Sequence, residues 1–271
     1  IALNEIHQDN IAIGTVYNRS INKAEVAIVQ NIEDLDKLKG SKYIQSSFSQ
    51  IMSKVDEGQR GVIFGTPCQI ASIDLYLKTK NLRNNFLLVD LICHGIPSYR
   101  LWEKYLEQYS NVTDVTFRNK KSGWANKALT VYCDKKTIID PSEKSAFYHF
   151  FDECNVLDEC CYECKYRKSS KADIRTGDFW GPKYHGNSKG VSMSVAMTQK
   201  GQSYLEKLSE NGLINLKEEE IADYFKNQQV DNIRIPLEYQ DIISDLSSGK
   251  MTIKEIDIKY NRKNMLYSKI R

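Results

Sequence analysis

The sequence predicts an α/β fold: a mixed sheet with β-α-β units and flanking helices, plus a helical C-terminal tail. Three observations carry this. Gly61 to Gly65 is a short apolar run followed by a helix-start signal and then by apolar residues at helical spacing. Phe86 to Ile92 is apolar enough for a strand buried on both faces of a sheet. Val112 to Arg118 and Ala128 to Cys133 read as an antiparallel pair, with Gly123 and Trp124 in the turn between them.

Taken in order, residues 25–30 read as a short strand. Ile32 to Lys39 reads as a short charged helix stopped by Gly40. Phe48 to Gly58 looks helical. After the Gly61–Gly65 strand, Thr66 suits an N-cap and Pro67 a first helical position. Ile70, Ile73 and Leu77 then mark a helix to about Lys80. Ser98 caps a helix running to about Tyr109, and residues 143–153 form another that leads into a cysteine-rich loop. Val191 to Thr198 is a strand and Gly201 to Ser209 a helix. The last 35 or so residues read as polar helical segments with little core, packed on a partner or on the domain edge. Residues 1–210 are thus expected to form one α/β domain and 211–271 a helical extension.

Composition bounds the function. With 271 residues, 41% hydrophobic and 27% charged, the chain can bury a sizeable core. Its net charge of +3 does not point to nucleic acid or membrane surfaces. No apolar run is long enough to span a bilayer, which takes roughly 18 residues. No secretory signal is visible, so a cytoplasmic location is expected. The chain begins at Ile1 rather than Met, as if an upstream segment had been removed. Seven cysteines, unevenly spaced, fit metal or redox use better than a disulfide framework.

The most informative stretch is Cys160-Cys161-Tyr162-Glu163-Cys164, followed by Gly177-Asp178-Phe179-Trp180-Gly181. A CxxC places two sulfurs on one turn and needs two more soft ligands to complete a site. Cys68 and Cys93 each follow a predicted strand, at the sheet edge where open α/β sheets bind ligands. Cys68 would also lie in the first helical turn, where a thiolate or an anionic cluster is stabilised. A single strand-end cysteine is more often a small buried hydrophobe. The combination favours Cys68, Cys93, Cys161 and Cys164 as ligands of a 4Fe–4S cluster. Cys160 is an alternative to Cys161, and four-thiolate zinc is the rival metal. Cys133 and Cys154 read as structural. His94 neighbours a ligand and could hydrogen-bond a cluster or flavin. Lys165, Arg167, Lys168, Lys171 and Arg175 form a basic run that is either a solvated loop or compensation for cluster or phosphate charge. The stretch from Asn187 to Ser192 suits a phosphate-contacting loop. No Walker loop, dinucleotide fingerprint, nucleophile elbow or zinc-protease motif occurs.

On these residues the chain resembles the coenzyme F-420 hydrogenase/dehydrogenase beta-subunit family, especially its C-terminal domain. The matching pieces are Gly40 to Ser46, Gly65 to Ala71, Asp90 to Ser98, Cys161 to Cys164, Ala172 to Ile174, Gly177 to Gly181 and Lys189 to Ser192. They run in order over roughly residues 10–205. The resemblance implies an iron–sulfur flavoprotein that passes electrons between FAD, a 4Fe–4S cluster and a deazaflavin-like coenzyme or another redox partner. It implies Cys68, Cys93, Cys161 and Cys164 as cluster ligands. Flavin contacts would fall to Lys42, Tyr43, Gln45, Ser46, Thr66, Gln69, His94, Gly95, Lys189, Gly190 and Ser192. The ferredoxin-like segment and the serine- and glycine-rich flavin-contacting segment that many relatives carry upstream are absent from this sequence. Two other readings stand beside this one. One is a zinc-binding or metal-free interaction module of a polysaccharide-synthesis system. The other is a flavin-dependent reductase of a small molecule. Homo-oligomerisation is compatible with either.

Overall fold

The computed structural model describes residues 1–121 and 123–267, with side chains as far as Asn261. In chain order the elements are α1 (Ala2–Ile6), β1 (Ile11–Asn18), β2 (Lys23–Val29), α2 (Ser49–Met52), β3 (Gly61–Gly65), α3 (Pro67–Thr79), β4 (Phe86–Leu91), α4 (Tyr99–Leu106), β5 (Val112–Asn119), β6 (Ala128–Cys133) and β7 (Lys136–Pro141). Then follow α5 (Ala146–Asp152), α6 (Glu159–Tyr162), β8 (Ile174–Asp178), β9 (Ser192–Ala196), α7 (Gln199–Glu210), α8 (Ile221–Tyr224), α9 (Tyr239–Ser247) and α10 (Ile253–Tyr267).

The main sheet has six strands in the order β2-β1-β3-β4-β8-β9. Strands β1, β3, β4 and β8 run parallel, and β2 and β9 close the two edges antiparallel. Successive side chains point to opposite faces of a strand. Ile11, Ile13, Ile63, Phe86 and Leu88 therefore face one core, which α3 covers with Ile70, Ile73 and Leu77. Ala12, Val62, Leu87, Val89 and Ile174 face the other, which is covered by Ile6 of α1 and Leu205 of α7. Burial on both faces explains why β3 and β4 read as continuous apolar runs.

Strands β5-β6-β7 form a separate antiparallel sheet. It packs on a third, aromatic core. Trp102, Tyr105, Phe117, Phe147, Tyr148 and Phe150 are wholly or almost wholly buried there. The indole of Trp102 donates to the Asn22 carbonyl at 3.0 Å, so its polar atom is satisfied.

The expected mixed sheet with flanking helices and a helical C terminus is present. Several segments differ from the sequence pattern. Ile32 to Lys39 holds only a 3-10 turn over Leu35–Leu38, and Phe48 to Gly58 only the single turn α2. Strands β1, β7 and β8 carry no clear pattern signal. The C-terminal helices contribute more core than their composition suggests. Tyr239, Ile242, Leu246, Ile253 and Ile256 are buried in the aromatic core. His149 of α5 contacts the Asp257 carboxylate of α10 at 2.9 Å. No helix among the described residues is long and apolar enough to cross a membrane.

Candidate redox site at the carboxyl edge of the sheet

Strands β3, β4 and β8 are parallel neighbours, so their carboxyl ends open on one edge. Each is followed by one of the motifs: Thr66-Pro67-Cys68-Gln69, Cys93-His94-Gly95 and Phe179-Trp180-Gly181. Locally, Gln69 accepts the Thr66 N–H through Oε1 at 2.9 Å, which starts α3 and sets Cys68 in its first turn. The Thr66 hydroxyl lies 3.3 Å from Cys68 Sγ. The Gln69 amide donates to the Ser46 carbonyl at 2.9 Å and so ties the Gly40–Ser46 stretch to this edge. Gln45 donates to Asp158, the residue whose side chain also accepts the Cys160 N–H and caps α6.

Three thiols share this neighbourhood. Burial pushes the Cys93 thiol up to about 12; the Gly95 N–H and Arg167 oppose the shift, and the charges of Cys161 and Cys68 add to it. Burial also raises Cys161, with Cys68 again adding to the shift. Cys68, Cys93 and Cys161 therefore repel one another as thiolates. Cys164 is one turn further on, and its sulfur accepts the Tyr166 N–H at 3.4 Å. The Gly95 N–H donates to Cys93 Sγ at 3.4 Å. Gly95 has φ +116°, and a side chain there would meet Leu157 at 2.6 Å. Only glycine lets the β4 loop approach α6 this closely. Among the described residues no three His, Cys, Asp or Glu side chains are close enough to hold a metal ion as they stand.

One arginine organises the thiol loops. Arg167 donates to the carbonyls of Cys93 (3.3 Å), His94 (3.0 Å) and Cys161 (3.0 Å). Its Nε donates to Asn232, whose amide in turn donates to the Cys164 carbonyl at 3.2 Å. Beneath it, the buried Arg175 pairs with Asp90 at 2.7 Å and donates to the carbonyls of Tyr166, Arg167 and Ser169. Thus Arg167 and Arg175 of the basic run are buried and structural, while Lys165, Lys168 and Lys171 are exposed.

Near the thiols lies an aromatic and cationic cluster, close enough that Arg118 acts on His94. Tyr43 packs on Phe151 at 4.7 Å and on Phe117 and Tyr148. Burial raises its hydroxyl pKa, an effect opposed by a hydrogen bond from Ser41 and by the nearby Arg118. Trp124 and Trp180 stand 4.2 Å apart, with the Arg118 guanidinium over both rings. Arg118 pairs with Asp178, which also accepts the Trp124 indole N–H at 3.1 Å. The Nε of Arg118 is buried and has no hydrogen-bond partner among the described residues. His94 is held below its ordinary value by burial and by the charges of Lys127 and Arg167, so the imidazole favours its neutral form.

The remaining residues expected to contact flavin divide. Ser46 hydrogen-bonds Thr15 at 3.1 Å and lies at the carboxyl edge. Gly190, at φ +76°, presses on Trp124, where a Cβ would come within 2.3 Å. Ser192 pairs with Asp178 across β8 and β9. Lys189 is exposed, with its N–H donating to Asn187. Lys42 directs its ammonium at the carbonyls of Lys37, Leu38 and Lys39, and burial lowers it to about 8. Cys160 is exposed and its thiol hydrogen-bonds that of Cys161, so it stays beside the site as the alternative ligand, whereas Cys133 is half-buried on β6 and Cys154 is buried near Gln229. Arg118 and Trp124 escape the sequence reading, because they arrive from the small sheet and its turn.

A parallel sheet edge carrying clustered thiols and a buried guanidinium defines a soft-ligand, anion-accepting site. The chain belongs to the coenzyme F420 hydrogenase/dehydrogenase beta-subunit family; the model of its C terminus matches residues 58–222. A chain of the F420-reducing NiFe hydrogenase complex from Methanosarcina barkeri, solved as a xenon derivative, has the same fold. It superposes with a TM-score of 0.57 at 18% identity, covering 97% of this chain and 82% of that chain. No curated protein matches the sequence.

Proposed function

We propose that this protein is an iron–sulfur flavoprotein that passes electrons between a 4Fe–4S cluster, FAD and a redox partner, either a protein or a deazaflavin-like coenzyme, in the cytoplasm. One observation carries the reading: Cys68 from the start of α3, Cys93 from the loop after β4 and Cys161 from α6 converge at the carboxyl edge of the sheet, beside an aromatic cluster with a buried cation. The residues fit both groups. Mutually repelling thiolates suit the positively charged iron–sulfur core of such a cluster, with Cys164 as fourth ligand from the same loop as Cys161. The unpartnered Arg118 Nε suits an acceptor atom of a flavin or its phosphates.

When bound, the cluster supplies single-electron exchange and the flavin supplies hydride chemistry. The chain's own residues do the rest. Arg167 and Asn232 fix the thiol loops through their carbonyls. The Gly95 and Tyr166 N–H groups point at sulfur and stabilise its negative charge. Tyr43, Trp124 and Trp180 present ring faces and exclude water. Arg118 holds negative charge, and neutral His94 can donate one proton or accept one. Thr66, Gln69, Gln45 and Ser46 fix the floor, while Gly190 and Ser192 border the tryptophan pair.

The test is a visible spectrum with iron and acid-labile sulfide counts on protein purified without oxygen, followed by FAD titration. A broad shoulder in the blue with about four irons and four sulfides per chain supports the reading. Cys161→Ser or Cys164→Ser should abolish that absorbance. A colourless protein carrying one zinc, or no metal after reconstitution, sinks it and leaves the interaction module in front.

A further inference from the structure

The two edges of the main sheet are finished differently. Edge strand β2 exposes Lys23 and Glu25, the kind of charge that deters another strand from pairing. Edge strand β9 reads Ser-Met-Ser-Val-Ala. It has no charge, no proline and an unbroken register with β8. The Val191 carbonyl accepts from Phe179 N–H at 2.8 Å, and Met197 N–H donates to Asp173 at 2.9 Å. Hydrogen-bonded pairs alternate in an antiparallel ladder. Val191, Met193, Val195 and Met197 therefore face β8, and the backbone groups of Ser192, Ser194 and Ala196 face outward, with all three residues exposed.

Along this open edge runs a cavity of about 500 Å3, walled on its far side by the extended segment 215–220 and by α8. Its wall carries Glu206, Glu218, Glu219, Glu220 and Asp223 against one lysine, Lys217. Lys183 and Lys217 are both directed at Glu219, and Lys226 at Asp223. Glu218 and Glu220 have no ion pair among the described residues. Leu216 (43% exposed) and Ile221 (68% exposed) add apolar surface to the same wall.

We infer that β9 is a docking edge, which an extended segment of a partner protein joins as a seventh strand, with lysine or arginine side chains directed at the acidic wall and apolar ones at Leu216 and Ile221. The backbone row supplies register and the carboxylates supply selectivity. A second copy of this chain is disfavoured as occupant, because edge-to-edge pairing of two β9 strands would bring two acidic walls together. Ser192 pairs with Asp178, so one end of the docked strand would lie beside the Arg118–Trp124 cluster. The inference is independent of which cofactors the protein holds.

The test uses the whole protein and fluorescent peptides alternating lysine with valine or glutamate with valine, read by anisotropy. The lysine peptide is expected to bind saturably and the glutamate peptide not to bind. Ser194→Pro removes an outward N–H that the sheet does not use and should weaken binding roughly tenfold, as expected for one or two lost hydrogen bonds. The pair Glu218→Lys and Glu220→Lys should weaken it further and raise its insensitivity to salt. Unchanged melting temperature in both variants shows that the fold is intact. Absence of saturable binding, or binding indifferent to both variants, overturns the inference. So does a dimer of the wild-type chain in sedimentation that Ser194→Pro dissociates, since the occupant would then be a second copy.

Discussion

The two ends of the parallel strands are built on opposite plans. At the amino ends of β4 and β8, the buried charges are paired with one another. Asp173 accepts from the Leu88 N–H (2.9 Å), from Arg83 (2.9 Å) and from the Thr198 hydroxyl (2.9 Å), and Arg83 also grips Asp74 at 2.7 Å. At the carboxyl ends lie Cys68, Cys93 and Cys161, with Cys93 and Cys161 raised by burial and by the thiols around them, and a guanidinium whose Nε has no partner among the described residues. One end is closed by its own residues; the other has capacity left for something else. Buried groups left unpaired cost stability, so they persist where function uses them.

The largest effect should come from the open end. Replacing Cys68, Cys93 or Cys161 by serine is expected to remove essentially all cluster iron while melting changes little in the metal-free protein, measured by iron assay and calorimetry. At the closed end the pattern should reverse. Asp173→Ala leaves the buried Leu88 N–H without its acceptor and takes one of two carboxylates from Arg83, and should cost about 3–5 kcal/mol in urea denaturation. Iron content per folded chain should stay unchanged. If Asp173→Ala strips iron as Cys161→Ser does, the two ends are not independent.

A smaller effect should follow Gly190→Ala. Its Cβ would fall 2.3 Å from Trp124, at a φ of +76°. A loss of about 1–3 kcal/mol is expected, with a shift in tryptophan fluorescence that a remote lesion would not give. The smallest concerns acid. Burial raises the Asp74 carboxyl, but hydrogen bonds from Lys78 and Arg83 outweigh it and hold the group below 3.8. Its folded value is depressed, so its contribution is present above 3.8 and is lost as pH falls through the lower folded value. Asp74→Asn should flatten the acid limb of the stability–pH curve and leave the neutral region's slope alone.

Legibility in the sequence followed the range of the interactions. The Gly61–Gly65 strand, its Thr66-Pro67 cap and α3 were readable because each signal is local. So was the convergence of Cys68 and Cys93, which needs only two parallel neighbours. Strand β8, Ile-Arg-Thr-Gly-Asp, reads as a loop because Arg175 is neutralised by Asp90, 85 residues away. Strand β1 hides behind Gly14, whose missing side chain makes room for Leu38 at 3.3 Å. The long helix expected over Phe48 to Gly58 stops after one turn, and Phe48 and Met52 bury themselves in the α3 core instead. The Arg118–Trp124–Trp180 cluster assembles from β5, the β5–β6 turn and the segment after β8, so no window of sequence contains it.

Asn232 carries a consequence for biogenesis. It anchors Arg167 and holds the Cys164 carbonyl, yet it lies 68 residues beyond that cysteine. A ribosome that has just released Cys164 has made all four candidate ligands but not their latch. Until Asn232 leaves the exit tunnel, the loops are held only from one side. Metal loading on the nascent chain would therefore meet a loose set of sulfurs, and a finished, ordered one only after release.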